Sequence, residues 1–139
     1  MADGNLFHGV IENMGKLISD VPDYWIGIDA RGFIFASALS IKCGGGVVMC
    51  RKAGKLPPTV FSHSYKTEYS EDTIQIKQGS GTAVIVDDVL ATGGTLKATN
   101  YLVKTAGYDV IDNLVLIDLQ YVPRVEQFDL KVKSLIQYE

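Results

Sequence analysis

The stretch VIVDDVLATGGT, residues 84–95, sets two adjacent carboxylates, Asp87 and Asp88, directly before a turn of threonine and glycine. The apolar run ahead of the acids reads as a buried strand and the residues after Gly94 read as a helix, so the turn joins a strand end to a helix start. The first amide N–H groups of a helix have no intrahelical partners and carry the positive end of its dipole. Gly93 and Gly94 let an anion approach that backbone closely, and Thr92 and Thr95 add hydroxyl donors. A phosphate monoester suits such a turn. Glycine-glycine-threonine alone also describes an ordinary helix start. The aspartates change the weighting, because neighbouring carboxylates at a strand end repel each other and lose hydration unless a ligand engages them. They cannot grip phosphate, yet they accept hydrogen bonds from sugar hydroxyls and can meet a hydrated magnesium ion. A ribose 5-phosphate answers both halves of the pattern. The triphosphatase loop GxxxxGK(S/T) and the dinucleotide fingerprint GxGxxG are both missing.

The elements that must hold this turn follow from periodicity. From Leu6 the apolar residues Phe7, Val10, Ile11, Met14, Leu17 and Ile18 recur at helical spacing, weakened by Gly9 and Gly15. YWIGID (24–29) reads as a buried strand, GFIFASALSIK (32–42) as a mostly buried helix stopped by Gly44, Gly45 and Gly46, and VVMCR (47–51) as a second strand. Strand, helix, strand is the unit of a parallel sheet. Residues 52–72 show no sustained periodicity, the mark of a functional or mobile excursion. TIQIK (73–77) alternates as the return strand of a hairpin would. TAVIVDD (82–88) is a third strand, a helix runs from about Thr95 to Ala106 and ends at Gly107, and NLVLIDL (113–119) is a fourth strand. In such a sheet, loops leaving the carboxyl ends of the strands form the ligand crevice, and 89–95 is one of them.

Composition bounds the rest. A chain of 139 residues forms one domain, here 1–139, and 47% apolar with 21% charged residues describes an ordered globular chain. The net charge of −3 supplies no bulk positive field for nucleic acid or anionic lipid, so neither is expected as a partner. The longest apolar run, Phe33 to Ile41, is too short to span a bilayer, and MADGNLFHG lacks a basic segment followed by an apolar one; a cytoplasmic location is expected. Cys43 and Cys50 read as small buried residues, and no metal-ligand cluster is visible.

VIVDDVLATGGT resembles the phosphoribosyl pyrophosphate (PRPP) motif of type I phosphoribosyltransferases, and LATGGT resembles their adenine branch. GIDARGF (27–33), RKAGKLP (51–57) with YKTEY (65–69), and SLIQYE (134–139) agree in order and spacing. The resemblance implies an α/β fold, a three-layer doubly wound mainly parallel sheet with a flexible hairpin lid. It implies transfer of a phosphoribosyl group from PRPP to adenine, giving AMP and pyrophosphate in purine salvage; another purine such as xanthine or hypoxanthine, or a non-catalytic PRPP-binding module, are the alternatives. By the same resemblance Ala91, Thr92, Gly93, Gly94 and Thr95 hold the 5-phosphate, and Asp87 and Asp88 meet the ribose hydroxyls. Arg31 and the backbone of Ala30 to Gly32 hold pyrophosphate, with a cis peptide expected between Asp29 and Ala30; Arg51, Lys52 and Lys55 add positive charge, as in relatives where a homodimer partner shares the site. Glu68, beside Tyr69 in the lid, takes the place of the residue that manages the purine proton. Magnesium is held by PRPP oxygens and water with no direct protein ligand required, Asp87 or Asp88 being the groups that could meet it. Leu119 stands where relatives put an apolar side chain against the base. One departure is visible: relatives begin with a hood carrying a segment like PxPGIxFxD, which this sequence lacks, so the hood is expected to be reduced or missing and the base-reading half of the pocket rebuilt or borrowed.

Overall fold

Apolar runs separated by amphipathic ones produce a single seven-stranded sheet with helices on both faces. The computed structural model describes residues 2–57, 59–67 and 70–139. In chain order the elements are α1 (Gly4–Lys16), β1 (Tyr24–Ile28), α2 (Arg31–Cys43), β2 (Gly46–Lys52), β3 (Val60–Lys66), β4 (Glu71–Lys77), β5 (Gly81–Leu90), α3 (Gly94–Thr105), β6 (Tyr108–Leu119) and β7 (Lys133–Tyr138). The sheet order is β3-β4-β2-β1-β5-β6-β7. The five strands from β2 to β7 in that order pair in parallel, while β4 runs antiparallel to both β2 and β3.

That order dictates where a ligand can sit. From β1 the chain steps to β2 on one side, whereas from β5 it steps to β6 on the other, so the winding reverses between β1 and β5. Crossovers of one hand that move in opposite directions place their helices on opposite faces. Accordingly α2 packs with α1 around Trp25, Phe35, Leu39, Val84 and Val86, and α3 packs on the other face around Ile26, Ile85, Leu102 and Val103. At such a reversal the two departing loops splay apart and leave a crevice at the carboxyl ends of the strands. Here those loops are 29–30 after β1 and 91–93 after β5.

The core residues Val84, Ile85 and Val86 of β5 are fully buried on both faces, as a central parallel strand demands. At roughly 1.5–3 kcal/mol for each large apolar side chain removed from water, β5 is a firmly anchored support for the site, as is β1 with Trp25, Ile26 and Ile28. On the α1 side, Asp3 caps the helix by accepting the Leu6 N–H at 3.1 Å, and Phe7 meets Phe35 edge to face at 6.1 Å. The excursion at 52–72 resolves into a turn and strand β3, which forms with β4 the hairpin that TIQIK foretold. Three features extend the reading from periodicity: β5 continues to Leu90, β6 begins already at Tyr108, and the last segment forms an edge strand, β7, against β6. Cys43 and Cys50 are both free, and Cys50 is buried.

Candidate functional site

The turn after β5 is built for an anion. Gly93 is the N-cap of α3, with φ +86° and no side-chain cap bond, so the leading amides of the helix are not satisfied by a serine or aspartate hydroxyl or carboxylate. An added Cβ at Gly93 would fall 2.5 Å from Cε2 of Phe128, so conformation and space both require glycine. The Gly94 N–H reaches Thr92 Oγ1 only weakly, at 3.4 Å. Residues 91–96, with Asp87, Val89, Leu90 and Val115, enclose a pocket of about 140 Å³. That is the scale of one phosphate group.

Beside it opens a cleft of about 570 Å³ that gathers residues distant in the chain: Ala30 and Arg31 after β1, Lys52 from β2, Tyr65 from β3, and Asp87, Asp88, Ala91 and Thr95. Asp87 and Asp88 stand within β5 and not at its end, because pairing with β6 continues through Val89↔Ile117 and Leu90↔Asp118. Their carboxylates curl back on the backbone. Asp87 Oδ1 accepts the Asp88 N–H at 2.8 Å, and Asp88 Oδ1 accepts the Val89 N–H at 2.9 Å. Burial, with the Asp88 charge alongside it, pushes the Asp87 carboxyl up to about 7. Asp88 instead has a cation: its Oδ2 lies 2.6 Å from Nε of Arg31, whose side chain is 76% exposed. With Arg31 this exposed, although the Asp88 side chain is only 17% exposed, the arginine can swing to exchange this partner for another anion.

The turn after β1 contains the expected cis peptide between Asp29 and Ala30. Gly32 lets it press directly on β5, since a Cβ there would fall 2.6 Å from the Val86 carbonyl oxygen. Asp29 ties the turn to β2: its N–H donates to Cys50 O at 3.0 Å, and its carboxylate accepts the Lys52 N–H at 3.3 Å and lies 3.8 Å from Arg51 Nε. Arg51 also stacks its guanidinium over Phe33, 5.7 Å from the ring centroid. Sequence reasoning placed Asp29 only at the cis peptide and missed its ties to β2, whose partners lie more than twenty residues away, and it gave no role to Tyr65. The Tyr65 hydroxyl lies 3.1 Å from Thr95 Oγ1, binding the hairpin to the anion turn, and burial raises its pKa above the usual phenol value.

Not every expected residue reaches the cleft. Lys55 sits exposed in the turn after β2 and lines neither cavity; Arg51, held at Asp29 and Phe33, lines neither; Leu119 ends β6 with its carbonyl bound by Arg124 and also lines neither. Glu68 and Tyr69 lie outside the described residues.

Among the described residues no group of three or more histidine, cysteine or acidic side chains could hold a metal by itself, so a divalent cation here would be carried by a ligand and met by Asp87 or Asp88. Asp87 is a carboxylate deprived of water and, among the described residues, has no ion pair of its own, Arg31 being paired with Asp88; such a group gains from a nearby divalent charge.

Comparison with known proteins follows the same lines. The phosphoribosyl transferase domain model matches residues 2–136. Over 144 residues the chain is 36% identical to the adenine phosphoribosyltransferase of Rhodospirillum rubrum, spanning 100% of this chain and 84% of that protein. The crystal structure of adenine phosphoribosyltransferase from Thermoanaerobacter pseudethanolicus superposes with a TM-score of 0.89 at 35% identity, over 99% of this chain and 83% of that one. The Saccharomyces cerevisiae enzyme, solved with an imino-altritol bisphosphate and adenine, gives 0.86 at 29% identity, over 96% and 81%.

Proposed function

This chain belongs to the phosphoribosyl transferase family, and from that premise we propose that it transfers the phosphoribosyl group of PRPP to adenine, forming AMP and pyrophosphate. The observation that carries the reading is the single cleft in which the β1 turn, the paired aspartates of β5 and the anion turn before α3 converge. These three parts match the three parts of PRPP: a leaving group, a ribose and a 5-phosphate.

In this reading, the amides and hydroxyls of 91–95 bind the 5-phosphate. Asp87 and Asp88 accept hydrogen bonds from the ribose hydroxyls, which turns the anomeric carbon toward the cleft. Arg31 leaves Asp88 for the pyrophosphate, joined by the amides of Ala30 to Gly32 and by Lys52, the one member of the basic group Arg51, Lys52 and Lys55 that lines the cleft. The base nitrogen attacks the anomeric carbon as its bond to pyrophosphate oxygen breaks, through a transition state with oxocarbenium character. No protein nucleophile is required. The protein's contribution is alignment and stabilisation of charge on the departing oxygens. Glu68 handles the proton of the purine ring, and the hairpin excludes water, which would otherwise compete as nucleophile. Magnesium would be carried mainly by PRPP oxygens and water, with Asp87 or Asp88 as the protein group that would meet it, and when bound it would supply charge neutralisation at the leaving group.

We also place the protein in the cytoplasm, where two unpaired cysteines are at home, and as a homodimer. Ile34 and Ile41 of α2 and Val47 and Met49 of β2 are exposed apolar side chains, Ile41 by 89%, on the α2 side of the sheet beside Arg51. Incubation with PRPP, magnesium and each of adenine, hypoxanthine, guanine and xanthine tests the reaction by absorbance. AMP from adenine alone is expected, and its formation is expected to collapse in Glu68→Gln. PRPP binding with no nucleotide from any base would replace the enzyme reading with a binding module.

A further inference from the structure

The connection from β6 to β7 reaches back over the anion turn. Its Arg124 is largely buried, with a side chain 23% exposed. Nη1 donates to Ala91 O at 2.5 Å and to Leu119 O at 3.1 Å, and Nη2 pairs with the carboxylate of Asp118. The guanidinium lies 5.7 Å from the centroid of Phe128, the ring that fills the space beside Gly93. One residue further on, the Val125 N–H donates to Thr92 O at 2.8 Å. The carbonyls of Ala91 and Thr92 are thus both held by this segment. A peptide carbonyl that turned into the pocket would present its negative end to the phosphate.

We propose that Arg124 is a positioning residue for the 5-phosphate. It lines neither cavity and acts through the turn at 91–95, fixing the Ala91 carbonyl so that this oxygen stays turned away from the anion. Asp118 balances its charge, so its role is geometric and not a matter of positive potential. The planar fork matters: one guanidinium serves two carbonyls, a carboxylate and a ring face, whereas an ammonium has no fixed fork with which to do so. The inference rests on the assignment of 91–95 to phosphate under the proposed function.

The test compares ribose 5-phosphate, which needs the turn at 91–95, with magnesium pyrophosphate, which is assigned to the β1 turn and Lys52. Affinities by calorimetry and the KM for PRPP are measured on the full chain for wild type, Arg124→Lys and Asp118→Asn. Arg124→Lys is expected to weaken ribose 5-phosphate and raise the PRPP KM by about tenfold or more, while pyrophosphate affinity stays within about twofold. Asp118→Asn, which keeps the shape but frees the fork, is expected to weaken ribose 5-phosphate by about threefold, and it decides the matter if the lysine variant does not fold. Unchanged ribose 5-phosphate affinity, or equal loss for both ligands, overturns the inference. A wild-type protein that makes no AMP or binds no ribose 5-phosphate overturns the proposed function and this inference with it; an active wild type beside an unaffected Arg124→Lys overturns this inference alone.

Discussion

Gly93→Ala asks two things of the anion turn at once. The backbone there has φ +86°, where an L-residue with a Cβ loses roughly 1–2 kcal/mol relative to glycine. The new methyl would also lie 2.5 Å from Cε2 and 2.6 Å from Cδ2 of Phe128, about 1 Å inside ordinary carbon contact. Relieving that overlap moves the ring off the Arg124 guanidinium or shifts the turn, at a typical overpacking cost of about 1–3 kcal/mol. Together the loss is about 2–5 kcal/mol, a large share of the stability of a domain this size. Urea unfolding reads the stability, and steady-state kinetics at saturating adenine read the PRPP KM, expected to rise at least about tenfold for a turn displaced by about 1 Å. A cycle with Phe128→Ala separates the two causes. Without the ring, Gly93→Ala is expected to cost only the conformational part, leaving a coupling of about 1–3 kcal/mol between the two sites. Additive losses across the cycle would refute the packing argument, and a Gly93→Ala protein with wild-type stability and KM would refute the whole account of the turn.

Three further outcomes follow from the cleft. The Asp87 carboxyl titrates near 3.8 when unperturbed and near 7 when folded, so the folded chain holds this proton more tightly: its contribution to stability is full below about pH 4 and is lost as pH rises through about 7. Wild type is therefore expected to lose stability relative to Asp87→Asn between those limits in urea titrations, and a constant offset from pH 4 to 8 would contradict the burial argument. Tyr65→Phe removes the hydroxyl that meets Thr95 and is expected to cost about 0.5–1.5 kcal/mol in the same assay; a neutral change would mean that the bond does not bind the hairpin to the turn. Burial pushes the Cys50 thiol up to about 12, so native protein is expected to expose at most the Cys43 thiol to Ellman's reagent while urea exposes both; rapid reaction of Cys50 in native protein would show that the cleft opens around it.

What the amino-acid sequence by itself determined is local. The anion turn is legible because orphan helix amides, glycines and hydroxyls are properties of contiguous residues, and the paired acids beside it need only one strand to present them. The parallel strands β1, β5 and β6 are legible because burial on both faces writes apolar runs, and β2 because its run VVMC is apolar although Val47 and Met49 stay exposed. The tertiary structure alone decided the rest. Strand β5 runs past Asp88 to Leu90 because β6 continues to pair with it, a partner no window around residue 88 contains. Strand β3, with its serines, histidine and lysine, is extended through register with β4, and β7 through register with β6. Asp29, Tyr65 and Arg124 acquire their places at the site through bonds to Lys52, Thr95 and Ala91, 23, 30 and 33 residues distant. Such residues carry no periodic or motif signal, since a hydrogen bond to a remote backbone atom depends on where the chain returns and not on the residues beside the donor.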